Sequence, residues 1–364
     1  MLRELKRLPD FAKTFDRFEA WWHREIIDRP LITLSLKQTR PIDFPGREHA
    51  TQRERWLDVE FQVRRAIAWL ESIDFAADAF PVLLPNVGPE LVATLLGCEL
   101  DFSEFSSWSK PIIHDPSQWH EIVNRPLNFD NIYWQTIERM TDLALELCDG
   151  RYVVGIADLH DNYDLLAGLR DPQLLCEDLM DCPQTIERVG RLTTRVFVES
   201  FNRLWSKIRS EGAAGHPCTT WTPMLHDGPA YLPCCDFWCM VSDQIAKDLI
   251  LPDILAEMRA LDRTLFHLDG PQALRHLDLL LEIPQLNGIQ WVYGDGHGPA
   301  TKWIDTYKRI LDAGKCVQVL AADFRDAMNV FEAVGGRGVW ITIYAGCSRA
   351  EADAFLKDAA RFTR

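Results

Sequence analysis

Apolar and polar positions along the chain predict helices and a strand in its first seventy residues. Apolar residues recur at spacings of three and four between residues 11 and 27, which predicts a helix. Pro30 breaks this pattern, and the apolar run at residues 31–36 predicts a strand. Thr51 and Glu54 have the spacing of a capping box that begins a second helix. These elements precede any regular alternation, so they predict an added N-terminal layer.

From about residue 75 onward, strand-like and helical segments alternate. The predicted strands lie at residues 75–84, 152–156, 218–221, 265–270, 289–293, 317–321 and 339–344. Strands that alternate with helices favour a parallel sheet, and this number of units favours an α/β fold of the (β/α)8 TIM-barrel type over an open sheet. We therefore expect one domain over residues 1–364, with residues 1–74 as a helical extension packed on the barrel.

Composition narrows the classes of partner. The chain has 54 acidic and 39 basic residues, a net charge of -15, which argues against nucleic acid or an anionic membrane as a main partner. No apolar segment approaches the roughly 20 residues that a membrane span needs, and no signal peptide is visible. The ten cysteines are scattered and form no Cys-x-x-Cys pair. A reduced, cytoplasmic protein is therefore expected.

The predicted strand at residues 265–270 carries the most informative polar pair. Residues two apart share one face of a strand, so His267 and Asp269 should point the same way, opposite Phe266 and Leu268. A partly buried imidazole and carboxylate need partners. A competing interpretation is that Asp269 only caps the next helix while His267 bonds a neighbour.

Polar and aromatic residues follow several of the other strands. In TIM barrels the carboxyl ends of the strands carry function, so these residues are candidates for a catalytic rim. The predicted catalytic residues are Asp78, Asp158, His160 and Asp236, and the predicted substrate-binding residues are Asn86, Trp221, Trp291, Asp295 and Tyr344.

A metal site is the sharpest chemical hypothesis. His267, Asp269 and Cys347 offer an imidazole, a carboxylate and a thiolate, all of which bind zinc, and three protein ligands leave a fourth position open. For Cys347, a buried structural thiol is an equally good interpretation.

Several motifs resemble the uroporphyrinogen decarboxylase superfamily over most of the chain. They are Phe18-Glu19-Ala20-Trp21-Trp22, Ile27-Asp28-Arg29-Pro30, Asp236-Phe237, Met240-Val241-Ser242-Asp243, Leu251-Pro252, His267-Leu268-Asp269-Gly270 and Ile289-Gln290-Trp291. The resemblance implies a (β/α)8 barrel. The superfamily contains uroporphyrinogen decarboxylases, which need no cofactor, and zinc-dependent methyltransferases that act on methylated corrinoid proteins.

Two departures from these patterns bear on function. True decarboxylases bind substrate carboxylates with an arginine-containing N-terminal segment. This sequence has no equivalent segment. The methyltransferases use His-x-Cys and a second Cys near the last strand, whereas here Asp269 replaces the first Cys and Cys347 lies about where the second is expected. The resemblance thus implies a methyltransferase-like enzyme with an altered zinc site.

The expected partners follow from this resemblance. They are a small-molecule substrate and methylcobamide, either as substrate or as the cofactor of a corrinoid protein; a homodimer is compatible with the sequence. The alternatives are a decarboxylase of a carboxylated small molecule or tetrapyrrole, and a non-catalytic corrinoid- or tetrapyrrole-binding protein.

Overall fold

Short strands and longer helices alternate through most of the chain in a computed structural model, which describes residues 2–38, 40–44, 46–210 and 215–363. The strands are β1 (Leu31–Leu36), β2 (Phe75–Ala77), β3 (Val82–Leu83), β4 (Leu100–Phe102), β5 (Ser107–Ser109), β6 (Val153–Val154), β7 (Ala230–Tyr231), β8 (Arg263–Asp269), β9 (Gly288–Val292), β10 (Cys316–Ala321) and β11 (Val339–Cys347). The α-helices are α1 (Phe11–Trp22), α2 (Gln52–Leu57), α3 (Val59–Ser72), α4 (Trp119–Ile122), α5 (Ile132–Glu146), α6 (Asn162–Arg170), α7 (Pro172–Asp181), α8 (Pro183–Ser210), α9 (Asp243–Ile245), α10 (Leu251–Met258), α11 (Leu277–Leu281), α12 (Ile304–Asp312), α13 (Phe324–Val334) and α14 (Arg349–Ala359).

Seven strands form one curled sheet in the order β2-β1-β11-β10-β9-β8-β7. All neighbours in it are parallel except β2, which pairs antiparallel with β1. A separate parallel pair joins β3 to β6. The carboxyl ends of the parallel strands lie at one edge of the sheet, which we call its mouth. The prediction of a mostly parallel α/β fold is confirmed.

The described strands do not close into the eight-stranded barrel that the sequence predicts. On either side of β7, residues 217–233 contain four prolines, at positions 217, 223, 229 and 233. Proline lacks the N–H that a ladder needs, so strand pairing here is reduced to isolated contacts. Ile156 N donates to Thr219 O at 2.9 Å, and Cys234 forms a single parallel bridge with His267. The chain therefore follows a barrel-like path with an irregular wall.

The N-terminal segment is more closely joined to the sheet than expected. The predicted helix over residues 11–27 ends at Trp22, and Arg24 has a left-handed φ of 58°. β1, which we assigned to the extension, is a strand of the main sheet, paired in parallel with β11. Buried Trp21 donates through Nε1 to Gly338 O at 3.0 Å, which fixes α1 against the sheet.

Two helices on the approach to the mouth were not expected from the sequence. α6 and α7 lie where the sequence predicts no element. By contrast, an apolar stripe that includes Ile186, Val189 and Leu192 predicts a helix over residues 183–210, which are the bounds of α8. Asp171 caps α7 by accepting hydrogen bonds from Gln173 N and Leu174 N, and Pro172 occupies its first turn. This Asp-Pro pair is a helix-start signal that could have identified α7. Among the described helices, none combines the length and apolarity needed to cross a membrane.

Candidate active site

β8 presents His267 and Asp269 at the mouth of the sheet. Phe266 and Leu268 are fully buried on the opposite face of the strand, under the helices, while His267 and Asp269 stay partly exposed. Nε2 of His267 lies 3.9 Å from Oδ2 of Asp269. The prediction that these two side chains share a face is therefore confirmed.

Asp236 joins this pair from the neighbouring connection. It begins the short 3-10 helix Asp236–Met240, which follows β7 in the chain. One ligand atom from each of Asp236, His267 and Asp269 lies within 4.8 Å of the others. We call these three residues the first cluster. The structure thus places Asp236, predicted as catalytic, beside the two predicted metal ligands.

Gln290 fixes which nitrogen of His267 is free. The amide nitrogen of Gln290 donates to Thr222 Oγ1 at 3.0 Å and to Gln318 Oε1 at 2.7 Å. Its Oε1 therefore faces His267 Nδ1, at 2.5 Å. Because a carboxamide oxygen only accepts, Nδ1 must carry the hydrogen, and neutral His267 keeps its lone pair on Nε2. That lone pair is on the side of the two carboxylates.

A chain of polar side chains holds Gln290 in place inside the sheet. Gln318 Nε2 donates to Thr342 Oγ1 at 3.0 Å, and Thr342 Oγ1 lies 2.9 Å from Thr33 Oγ1. All of these side chains are buried. Sequence reasoning missed their role. The available signal was an amide in the middle of each of two apolar strands, where burial requires a hydrogen-bond partner.

A second group of ligand-type side chains lies beside the first. One ligand atom from each of His160, Asp164 and Cys234 lies within 4.8 Å of the others, and we call them the second cluster. His160 Nε2 is 3.0 Å from Asp164 Oδ2 and 3.6 Å from Asp236 Oδ2, so the two clusters adjoin. Burial lowers the pKa of His160, but the Cys234 sulfur and the Asp164 carboxylate outweigh it and hold that pKa well above its usual value.

Asp158 supplies another carboxyl group to the mouth. Burial raises its pKa to about 6, the histidines at 160 and 267 act in the opposite direction, and the carboxylate of Asp236 raises it further. An ordinary aspartate loses its proton near pH 4, so Asp158 retains one over a wider pH range. A carboxyl group of this kind can hold or release a proton under mildly acidic conditions.

A cavity adjoins both clusters, and one tryptophan packs against the first. The cavity measures about 480 Å³ and is lined by His160, Asp164 and Asp236, among others. The partly exposed ring of Trp221 stands edge-on to the imidazole of His267, with centroids 5.0 Å apart and planes at 87°. The predicted placement of Trp221 at the mouth is consistent with this contact.

Trp291 does not line the mouth, contrary to our prediction. In the β8–β9 ladder, Trp291 is the partner of Leu268, and Gln290 is the partner of His267. Cross-strand partners point to the same face, so Trp291 points away from His267. It is fully buried against Trp303, with ring centroids 5.1 Å apart.

Cys347 is not part of the site that contains His267. Its sulfur belongs to neither group of ligand atoms within 4.8 Å and instead lies 3.7 Å from Ser35 O. β11 and β8 are three strand-to-strand steps apart in the sheet, each about 4.8 Å. The interpretation of Cys347 as a buried structural thiol fits the structure better.

Asp78 and Asn86 have structural contacts. Asp78 is fully buried and accepts hydrogen bonds from Arg17, from Arg29 and from the backbone N–H of Ile32. Both carboxylate oxygens are therefore occupied by these partners, and Asp78 belongs to neither cluster. Asn86 is exposed and accepts a hydrogen bond from Gly88 N at 2.7 Å, which stabilises a turn.

The other two predicted substrate-binding residues lie outside the clusters. Asp295 is exposed in the loop after β9. Tyr344 lines a different cavity of about 370 Å³, together with Trp69 and Thr342. The side chains of Trp69 and Tyr344 are exposed, with 50% and 64% of their surface accessible to solvent. Neither Asp295 nor Tyr344 contributes a ligand atom to either cluster.

The charge of the site favours a cation. Asp164, Asp236 and Asp269 each lie within ion-pair distance of a histidine, and the ion pairs found for them in the described part of the chain include no Lys or Arg. Zinc binds imidazole and carboxylate at about 2.0–2.2 Å, which places tetrahedral ligands about 3.4 Å apart. The 3.9 Å between His267 Nε2 and Asp269 Oδ2 needs only a small side-chain adjustment to reach this. The first cluster therefore fits zinc.

One comparison with known proteins informs the fold. No protein-family model matches the chain, and no curated protein sequence matches it. Among solved structures, a methyltransferase from Methanosarcina mazei superposes with a TM-score of 0.61 at 13% identity, covering 96% of this chain and 98% of that one. An HpcH/HpaI aldolase from Desulfitobacterium hafniense DCB-2 matches 68% of this chain and 88% of that one at 11% identity, with a TM-score of 0.23, too low to inform the fold. The chain therefore has the fold of the first structure over nearly its whole length.

Proposed function

We propose that this protein is an enzyme of the methyl-transfer type that holds a zinc ion at Asp236, His267 and Asp269. The observation that carries the proposal is the Nε2 of His267, which holds the lone pair of the neutral imidazole beside two carboxylates because Nδ1–H donates to Gln290. A histidine metal ligand almost always donates its other ring N–H to an acceptor that fixes its tautomer, and here the Gln290 amide oxygen is that acceptor. The fold shared with a methyltransferase supports the type of reaction.

The metal ion and the residues around the first cluster would activate the thiol, accept its proton and exclude water. Zinc, when bound, supplies positive charge that lowers the pKa of a substrate thiol, so that the thiolate is available at neutral pH. Asp158, whose charge interacts with His267 and Asp236, would take up the proton that the thiol loses. Trp221 packs edge-on against His267 and restricts access of water to it. The thiolate then attacks the methyl group of a donor, and the donor's leaving group departs with the electron pair of the broken bond.

The same charges argue against the alternative of a decarboxylase. A carboxylated substrate needs fixed cationic donors. The described mouth instead carries the carboxyl groups of Asp158, Asp236 and Asp269, and the ion pairs of the last two are with histidines. A neutral thiol and a methyl donor such as a methylated corrinoid meet less repulsion there. Methyl transfer is therefore the function that the geometry supports best.

The test combines metal content with turnover. Purified protein should contain stoichiometric zinc, and with methylcobalamin and simple thiols it should change the cobalt absorbance as the methyl group leaves. His267→Ala should lose the ion and the turnover. His23→Ala is the matched control, because exposed His23 contacts Arg263 at the opposite end of β8.

Two results would contradict the proposal. One is full turnover by protein from which metal has been removed and shown absent. The other is release of carbon dioxide from a carboxylic acid substrate with no methyl transfer under any thiol tested, which would favour the decarboxylase.

A further inference from the structure

The second cluster brings together three metal-ligand side chains from two segments of the chain. His160 follows β6, Asp164 lies in the first turn of α6, and Cys234 follows β7. Their ligand atoms lie within 4.8 Å of one another. The Cys234 side chain is only 4% exposed, and the cavity of about 480 Å³ opens onto His160 and Asp164. A sulfur, a nitrogen and an oxygen donor beside a cavity match the composition of zinc sites that keep one position open.

The two clusters are close enough to act as one centre. His160 Nε2 lies 3.6 Å from Asp236 Oδ2, and Cys234 is the bridge partner of His267 on the neighbouring strand. Cys234 and Asp236 are two residues apart in the chain. In two-metal enzymes the ions lie about 3.5–4 Å apart, commonly with a shared carboxylate. Asp236 occupies the position between the two clusters that such a shared ligand requires.

The charges balance for two divalent ions. Asp164, Asp236 and Asp269 contribute three negative charges as carboxylates, and Cys234 contributes a fourth as a thiolate. Two divalent cations neutralise all four. A single ion in the first cluster would leave the Asp164 carboxylate with only His160 as an ionic partner. A second cation would neutralise this partly buried carboxylate, which otherwise has one histidine and two backbone N–H groups as partners.

Asp164 already has structural hydrogen bonds, and these leave room for a metal. Its Oδ2 accepts from Asp236 N at 2.8 Å, and its Oδ1 accepts from Phe237 N at 2.7 Å. Each carboxylate oxygen can accept two bonds, so Oδ1 keeps one acceptor position. These two backbone bonds also fix the carboxylate in one orientation and tie the 3-10 helix of Asp236 to α6. Asp164 therefore positions Asp236 and can serve as a ligand at the same time.

We propose that His160, Asp164 and Cys234 hold a second divalent metal ion, next to the ion of the first cluster, with Asp236 shared between the two. This inference rests on one part of the proposed function, the metal ion in the first cluster, and is independent of the reaction that the enzyme catalyses. The second ion would add a thiolate ligand to a centre whose first cluster has only nitrogen and oxygen donors. That difference gives the two ions separate spectroscopic signatures.

Cobalt(II) titration distinguishes the two ions without any activity measurement. Metal-free, reduced protein is titrated with cobalt(II) under anaerobic conditions, and bound cobalt is counted per chain. A thiolate ligand gives a near-ultraviolet sulfur-to-cobalt charge-transfer band, whereas nitrogen and oxygen ligands do not. We expect wild-type protein to bind two cobalt ions and to show the band. Cys234→Ser should lose the band. His267→Ala should lose one ion but keep the band.

Control variants separate loss of a ligand from misfolding. Cys239→Ser changes a half-buried cysteine of the same segment that belongs to neither cluster, so its two ions and its band should be unchanged. If Cys234→Ser does not fold, His160→Gln gives the same test from the other side of the cluster. Each variant is compared with wild type by circular dichroism before titration.

The outcomes separate this inference from the proposed function. One cobalt ion per chain without the band overturns the second site and leaves the first. Two ions with a band that survives in Cys234→Ser also overturns it, because the thiolate is then another cysteine. No bound cobalt at all overturns both proposals.

Discussion

Nδ1 of His267 and Oε1 of Gln290 lie 2.5 Å apart on adjacent strands, as direct partners in the β8–β9 ladder. This pairing fixes the tautomer of the imidazole through two elements of the rigid sheet. The orientation of the proposed metal ligand is therefore a property of strand register, since a shift of one residue would turn the amide to the other face.

Gln290→Leu tests this relationship. We expect the variant to fold and its affinity for zinc to fall by about 10–100-fold, the usual effect of removing the group that orients a metal ligand. Competition with a chelator of known affinity measures the change. Gln285→Leu is the matched control, because Gln285 is exposed and its side chain should leave zinc affinity unchanged. Equal affinities of wild type and Gln290→Leu would show that the amide does not orient His267.

Cys347→Ala tests the revised ligand set. Cys347 Sγ contacts the backbone oxygen of Ser35 and lies in neither cluster, so the variant should keep the same number of bound metal ions and the same turnover. Elemental analysis of protein purified in parallel with wild type measures this. Loss of an ion from Cys347→Ala would restore Cys347 as a ligand and contradict the arrangement described above.

Local sequence patterns were sufficient to predict the parts of the site that lie within one element. The shared face of His267 and Asp269 follows from the period of a strand, and β8 to β11 follow from apolar runs at the spacing of strand–helix units. The bounds of α8 follow from its long apolar stripe. In each case, residues close in the chain carry the whole signal.

Contacts between distant elements could not be predicted in the same way. Cys234 and Cys347 look alike in sequence, each beside a strand end, and only the strand order decides that Cys234 adjoins His267. Trp291 is predicted at the mouth because it lies near the carboxyl end of a strand, whereas its register with Leu268 places it on the outer face. The role of Asp164 depends on its hydrogen bonds to the backbone of Asp236 and Phe237, which are 72 and 73 residues further along the chain.

Asp78→Asn separates structure from catalysis at a residue that resembles a catalytic aspartate in sequence. Fully buried Asp78 holds Arg17 and Arg29, so removing its charge leaves two guanidinium groups without their shared partner. We expect the free energy of unfolding to fall by about 3–5 kcal/mol. Zinc content per folded chain should not change. Chemical denaturation measures the stability.

Asp28→Asn is the control for Asp78. Asp28 also pairs with Arg17, but its side chain is 38% exposed, so its loss should cost about 0–1 kcal/mol. Similar losses of stability for the two variants would mean that burial does not set the strength of the Asp78 ion pairs.

His216 should make the protein less stable in mild acid. It is 6% exposed, and its Nδ1 accepts a hydrogen bond from Val154 N at 3.0 Å, next to the β3–β6 pair. Burial lowers the pKa of His216 to about 4, against about 6.5 for an unfolded histidine. Between these two values the unfolded chain binds a proton that the folded chain does not. Stability is therefore fully present above about pH 6.5 and is lost as the pH falls toward 4.

His216→Asn removes this titration and keeps an acceptor for Val154 N, because the amide oxygen of asparagine can occupy the place of Nδ1. The 2.5-unit difference corresponds to about 3 kcal/mol, so wild type should lose about that much more stability than the variant between pH 7 and pH 4. Urea denaturation at a series of pH values measures both slopes. Exposed His114 provides the control, since His114→Asn should follow the wild-type slope. If His216→Asn also follows it, then His216 binds its proton equally in the folded and the unfolded protein, and burial does not lower its pKa.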